Sequence, residues 1–172
     1  PAIVERLKAQ EEYTARFTAN YDQQSSRQVY TIPVVFHVVY NGNAENLSDA
    51  KLLSQLQVLN DDFRRTNADA NNTWSQAADT EIEFCLASVD PNGNPTTGIT
   101  RTSTKKRSFS YTGDGVKFSG RTGGKDAWPR DDYLNIWVCD LGNGLLGYAQ
   151  FPGSGSAATD GVVIDYAYTG AG

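Results

Sequence analysis

Hydrophobic and polar positions along the chain predict strands and helices in alternation. The run 31–40 is almost continuously β-branched or aromatic, which is typical of a strand covered on both faces. After Ser48, a good N-cap, large apolar residues recur at steps of four, three and four as far as Phe63, and this predicts an amphipathic helix over 48–66. A second strand pattern follows at 82–89. Strand, helix and strand then form a β-α-β unit with parallel strands.

The segment 133–168 contains three further strand patterns. Apolar and polar residues alternate at 133–139, and a short strand pattern at 147–151 is closed by Pro152, which suits the edge of a sheet. The run within 161–168 is continuously apolar at its centre, as expected of a strand covered on both faces. Three strands in so short a space make this segment the part around which we expect the fold to be organised.

The rest of the chain predicts less regular structure. Residues 3–17 carry an imperfect helical stripe that could lie across the outside of a domain, and the polar stretch 21–28 interrupts it. Residues 97–102 predict a brief strand. Residues 103–126 show no periodicity, so we expect a long loop that is functional or mobile. We therefore divide the chain into an N-terminal helical extension, 1–28, and a sheet-bearing subdomain, 29–172.

Composition excludes some classes of function. The 172 residues suffice for one domain with a core, and a net charge of −5 without a broad basic patch argues against nucleic-acid binding. The basic run 105–107 is expected to be a solvated loop. No apolar run approaches the ~18 residues of a membrane span. The chain starts at Pro1 without signal-peptide features, so any targeting peptide is expected to be absent from it, and its richness in Asn, Thr, Ser, Gly and Tyr hints at secretion.

The candidate reactive side chains are few. His37 is the only histidine, so a multi-histidine zinc site cannot be built from this chain alone. Within a strand pattern, His37 is expected to be a hydrogen-bonded core residue rather than a group that orients a neighbour. Cys85 and Cys139 both fall in strand patterns. They predict a disulfide if those strands are neighbours and two buried free thiols otherwise.

Two runs place oxygen-bearing side chains at alternate positions and could offer ligands to calcium. Neither is followed by the distal glutamate of an EF-hand loop, and turn chemistry explains both more simply. The two runs are Asn67-x-Asp69-x-Asn71 and Asp90-x-Asn92-x-Asn94.

A family resemblance is carried by three runs: YLNIWVC at 133–139, GLLGYAQFP at 144–152 and TDGVVI at 159–164. They resemble the pappalysin-type (ulilysin-like, cytophagalysin-like) metzincin metallopeptidases, and the likeness extends to 31–40 and 90–102. In that family the zinc motif His-Glu-x-x-His-x-x-Gly-x-x-His lies just downstream of the last of these strands. We therefore expect the motif beyond Gly172.

The resemblance implies an α/β fold: a twisted, mostly parallel sheet of about four or five strands, with an antiparallel edge strand and the 48–66 helix packed on one face. It also implies that Gly147, Tyr148, Ala149 and Gln150 form the upper rim of a cleft that holds the main chain of a protein or peptide substrate.

By the same resemblance, the parent protein would be a secreted (extracellular or periplasmic) zinc metalloendopeptidase. Zinc would come from a C-terminal half of the same protein, which would supply the histidine ligands and a glutamate base that activate water. This chain would scaffold the cleft and be inactive alone. The alternative hypothesis is a non-enzymatic module, complete in 172 residues, that binds peptide or sugar. The coding sequence after Gly172 separates the two.

Overall fold

The computed structural model describes residues 2–19, 28–151 and 155–171. Pro152 and most of the predicted polar break at 21–28 lie outside the described residues. The helices are α1 (Ala2–Ala19), α2 (Asp49–Phe63) and the short α3 (Ser119–Thr122), and the strands are β1 (Tyr30–Tyr40), β2 (Ile82–Leu86), β3 (Ile99–Ser103), β4 (Leu134–Cys139), β5 (Gly147–Ala149) and β6 (Val162–Asp165).

The strands form one mixed sheet in the order β2-β1-β4-β6-β5, with β3 also paired to β1. Every pair is parallel except β5 with β6. The predicted α/β fold with an antiparallel edge strand is confirmed. The described sheet has six strands rather than four or five, because the long β1 pairs with β2 along its first half and with β3 along its second half.

Helix α2 covers one face of the sheet, as predicted. The side chain of Ser48 accepts a hydrogen bond from the first turn and starts the helix. Leu52 and Leu56 are buried against the strands, where they form one core cluster. The Asn60 side chain fastens the helix to β2, since it donates to the Phe84 carbonyl at 3.0 Å and accepts from the Phe84 N–H at 2.7 Å.

The opposite face is covered by residues 103–126, which are not the structureless loop that we expected. This segment contains a β-bridge at Phe109, a 3₁₀ turn at Gly115–Lys117 and helix α3. Phe109 and Val116 are buried beside Trp137, so the segment packs on the sheet and completes a second core cluster with it. Isolated apolar side chains, separated by turns, pack the segment against the sheet. Because they do not recur at a regular spacing, the sequence pattern does not reveal them.

The last strand is shorter than its apolar run. Asp165 ends β6: its carboxylate accepts from the Ala167 N–H at 2.9 Å, and its carbonyl accepts from the Thr169 hydroxyl at 3.0 Å. These bonds turn the chain out of the sheet into a 3₁₀ turn, Tyr166–Tyr168.

The predicted proximity of Cys85 and Cys139 is wrong. Both thiols are free, Cys85 exposed and Cys139 buried. Cys85 lies in β2 and Cys139 in β4, with β1 between them. Two strand spacings amount to about 9.6 Å, which already exceeds the ~7 Å Cα separation that a disulfide tolerates.

His37 is a core residue, as expected. Its ring is fully buried between Trp128 and Trp137. Asn135 Oδ1 accepts from the Trp128 N–H at 2.8 Å and lies 3.0 Å from His37 Nε2, while Asn135 Nδ2 donates to the Trp128 carbonyl at 2.9 Å. Nε2 must therefore carry the proton, and Nδ1 accepts from the Thr100 hydroxyl at 2.7 Å. The imidazole is neutral, and burial lowers its pKa to about 4.

This neutral histidine should make the fold acid-sensitive well above the carboxylate range. Below the unfolded pKa of 6.5 the unfolded chain binds a proton that the folded chain does not, so stability falls as pH drops towards about 4. Between pH 7 and 5 we expect a loss of about 2 kcal/mol from this group. Urea unfolding of the 172-residue chain and of His37→Gln at pH 7 and pH 5 measures it. Equal pH dependence in the two chains would contradict the assignment.

Candidate functional site

The antiparallel strand β5 forms one edge of the sheet. It pairs with β6 through Gly147↔Ile164, Tyr148↔Val163 and Ala149↔Val162, and no described strand pairs with its other side. Two flanking bonds fix the alternation of its main chain: the Leu146 carbonyl accepts from Asp165, and the Gln150 N–H donates to Gly161. Residues 146, 148 and 150 thus turn their main-chain groups towards β6, whereas 147 and 149 turn theirs to the open edge.

The four rim residues predicted from the sequence therefore fall into two pairs. Gly147 and Ala149 offer N–H and C=O groups to an incoming extended chain. Tyr148 and Gln150 have their main-chain groups directed to β6 and contribute side chains. Gln150 holds Ser156 and Thr159 close to the strand, because its Nε2 donates to the Ser156 carbonyl at 3.2 Å and its Oε1 accepts from the Thr159 hydroxyl at 2.7 Å.

A buried lysine packs against the side chain of Tyr148 in β5. Lys117 is 2% exposed, and its ammonium donates to the Thr159 carbonyl at 2.7 Å and lies 3.0 Å from the Asp114 carboxylate. The same ammonium lies 5.0 Å from the centre of the Tyr148 ring. A buried charge is stable only with such partners. Burial and the nearby Asp114 charge raise the pKa of the Tyr148 hydroxyl, whose oxygen has no hydrogen-bond partner among the described residues.

Sequence reasoning did not find Asp114 and Lys117. The only signal is the tight turn Gly113-Asp114-Gly115, in which Gly113 and Asp114 have φ of +78° and +50°. Aspartate tolerates this left-handed conformation better than most residues. The turn starts the 3₁₀ segment that carries Lys117 under the sheet.

The described residues do not assemble a metal centre. They contain no group of three His, Cys, Asp or Glu side chains that could hold a metal ion. Asp90 instead closes its own turn by accepting from the N–H groups of Asn92 and Asn94, and these bonds lower its pKa. In the other acidic run, Asn67 donates to Asp69 at 2.8 Å. Turn chemistry accounts for both candidate calcium runs.

Solved structures of known proteins are similar to this chain in sequence and in fold. Mature mirolysin of Tannerella forsythia, solved with a cleaved peptide, is 57% identical with a TM-score of 0.78 over 83% of this chain and 55% of its own. A promirolysin mutant from the same organism is 51% identical with a TM-score of 0.82 over 96% of this chain and 56% of its own.

A more distant relative comes from a fungus. An extracellular metalloprotease of Arthroderma gypseum is 30% identical over 140 residues, which is 78% of this chain and 38% of that protein. No known sequence-family profile matches the chain. The chain thus spans little more than half the length of the mirolysin structures and about two fifths of the fungal protein.

These likenesses support a metzincin-type fold, in which the chain is similar to the N-terminal part of metalloproteases. Within that class its relatives are mirolysins, which are pappalysin-family metallopeptidases, so the resemblance predicted from the sequence is confirmed.

The close packing of β5 against β6 should require glycine at position 147. A Cβ on Gly147 would come within 2.7 Å of the Val163 carbonyl oxygen, so Gly147→Ala must push β5 away from β6. We expect a loss of about 1–3 kcal/mol in the free energy of unfolding, with faster amide hydrogen exchange at Tyr148. Gly120→Ala is the matched control, since its Cβ would meet nothing within 4 Å. If both variants behave alike, the packing of β5 on β6 is looser than described.

Proposed function

We propose that the chain is the N-terminal, sheet-bearing part of a secreted zinc-dependent metalloendopeptidase, and that it scaffolds the cleft and offers β5 to the substrate. The observation that carries the proposal is the open antiparallel edge at Gly147–Ala149, in a chain 57% identical to mature mirolysin. A peptide that pairs with such an edge gains main-chain hydrogen bonds irrespective of its sequence. The cleaved peptide in the mirolysin structure supports a peptide as the ligand.

The residues of this chain do not fit a catalytic zinc. Such a site needs three protein ligands, commonly histidines. The sole imidazole, His37, is buried and has both ring nitrogens in hydrogen bonds to Thr100 and Asn135. The zinc ligands and the general base would therefore belong to another segment of the same protein.

The sheet offers a surface for that segment. On the face covered by α2, the side chains of Leu134, Ile164 and Tyr166 are only partly buried. They lie on or just after β4 and β6, at the end of the sheet next to β5. We propose that the C-terminal, zinc-binding half packs here, where an apolar helix would complete the burial of these three side chains.

The proposal that the protein is secreted rests on two observations. The relative from Arthroderma gypseum is named an extracellular metalloprotease, and this chain is rich in Asn, Thr, Ser, Gly and Tyr. None of the helices in the described ranges is long and apolar enough to cross a membrane.

We also propose that residues 1–28 form an extension separate from the subdomain 29–172. The match to promirolysin covers 96% of this chain and that to mature mirolysin 83%, a difference close to the length of the extension. Every α1 side chain that the structure describes is exposed.

If the extension is separate, a chain that starts at Val29 should fold as well as the full 172 residues. We expect its melting temperature to change by no more than ~3 °C, which corresponds to about 1 kcal/mol for a domain of this size. Differential scanning calorimetry of the two chains measures it. A drop above ~10 °C would show that the extension is part of the folded unit.

The peptidase proposal is tested by comparing two chains. The 172-residue chain should contain no stoichiometric zinc and leave casein intact. The natural protein, extended by about 100 further residues, should bind one zinc and digest casein, with activity abolished by a chelator. Zinc and proteolysis in the short chain would refute the ligand argument. An extended chain with neither property would favour the binding module, for which the exposed Tyr111 beside β5 is a suitable contact.

A further inference from the structure

The chain that leaves β6 is attached to helix α2. After the 3₁₀ turn Tyr166–Tyr168, the Thr169 side chain is buried, and its hydroxyl donates to the Asp165 carbonyl at 3.0 Å. The next two residues, Gly170 and Ala171, contact α2 through their main-chain groups. The exit of the chain from the sheet is therefore held by a helix over two consecutive residues.

The side chains of three α2 residues bind this exit. Gln55 Oε1 accepts from the Gly170 N–H at 2.8 Å. Ser54 Oγ accepts from the Ala171 N–H at 3.1 Å and donates its own proton to the Lys51 carbonyl at 2.7 Å. The Lys51 ammonium donates to the Ala171 carbonyl. Residues three and four apart share one face of a helix, so the three side chains form a single surface, which we call the exit clamp.

The exit clamp requires glycine at position 170. Gly170 has a φ of +83°, a left-handed conformation that residues with a Cβ rarely adopt. A Cβ here would lie 2.6 Å from the Lys51 carbonyl oxygen and 2.7 Å from Ser54 Oγ. Any other side chain would therefore push the exit away from the helix.

Helix α2 is itself fixed to the sheet near both of its ends. At its start, Arg101 of β3 donates to the Leu47 carbonyl at 2.7 Å and pairs with the Asp49 carboxylate. In its last turns, the Asn60 side chain bonds to both main-chain groups of Phe84 in β2. Because these contacts tie the helix to the strands, the exit clamp fixes the departing chain relative to the sheet and so to β5.

We propose that Lys51, Ser54 and Gln55 are positioning residues, which fix the direction in which the chain leaves the sheet and so place the following segment against the cleft. The inference rests on the proposed function, in which that segment carries the catalytic residues. The three side chains act through the main chain of Gly170 and Ala171 rather than on the substrate. A misplacement of about 1 Å can cost an enzyme about a hundredfold in rate, so a cleft made of two halves gains from a fixed exit.

Hydrogen exchange in the natural full-length protein tests the exit clamp itself. Gln55→Leu removes the acceptor of the Gly170 N–H, so this amide should exchange about threefold to tenfold faster, as for the loss of one hydrogen bond. Gln55→Glu keeps an acceptor oxygen and should retain the slow rate. Gln57→Leu is the matched control, because Gln57 lies on the same helix and donates to Asp61 at 2.8 Å instead. Equal exchange at Gly170 in all of these proteins overturns the clamp.

Kinetics of the same protein with a fluorogenic peptide test the positioning. Gly170→Ala should lower kcat per folded molecule about tenfold or more, because the catalytic segment moves. KM should be unchanged, because the peptide still pairs with β5. Gly93→Ala is the matched control, since Gly93 has a φ of +84° but a Cβ there meets nothing within 4 Å. It should keep the normal kcat.

A folded Gly170→Ala protein with normal kcat overturns the positioning, and so does one whose loss lies in KM alone. If Gly170→Ala does not fold, Gln55→Leu decides. Its kcat should fall about threefold, as for one lost hydrogen bond, and Gln55→Glu should restore it. A loss of kcat that Gln55→Glu fails to restore would assign Gln55 to packing and reject the positioning role.

Failure of the positioning and failure of the peptidase are separable. Normal digestion of the peptide by every folded variant rejects the positioning alone. If the unsubstituted protein digests nothing, the peptidase proposal fails, and hydrogen exchange then decides whether the exit from the sheet is fixed. A Gly170 amide that is protected in the unsubstituted protein and faster in Gln55→Leu supports the fixed exit, and unprotected exchange in both rejects it.

Discussion

The structure depends on the burial of β1 on both faces and along both edges. Residues 34–39 of this strand are 0–1% exposed, and the strand pairs with β2, β3 and β4. One polar side chain, His37, lies within this run and remains there as a neutral ring because Thr100 and Asn135 satisfy both nitrogens. A protonated imidazole would place a positive charge in a site without water, so burial favours the neutral form.

The position of the edge strand β5 depends on the strands between it and β1. Strand β4 pairs with β1, β6 with β4, and β5 with β6, so errors in any pair would displace Gly147 and Ala149. The approach of β6 to β4 is close: a Cβ on Gly161, with φ of +137°, would lie 2.3 Å from the Asn135 carbonyl oxygen. Lys117 and Gln150 then hydrogen-bond to Thr159, and these bonds stabilise the edge formed by β5.

The sequence predicted the elements in which apolar residues recur at regular spacing. The apolar run of β1, the leucine stripe of α2 and the alternation of β4 each report burial directly, and the Pro-closed strand at 147 correctly indicated an edge. Contacts made by single residues were not predictable. The segment 103–126 is anchored by isolated apolar side chains such as Phe109 and Val116, and Asp114 and Lys117 reach the site through a turn whose shape no periodicity reveals. The disulfide prediction failed because two strand patterns do not show that β1 lies between them.

The central claim is that an extended peptide pairs with the outward main-chain groups of β5. A crystal structure of the natural extended protein with a substrate-like peptide inhibitor tests it most directly. The account predicts main-chain hydrogen bonds from the peptide to Gly147 and Ala149, and none to the main chain of Tyr148, which faces β6. A peptide bound away from β5, or one paired through Tyr148, would contradict it.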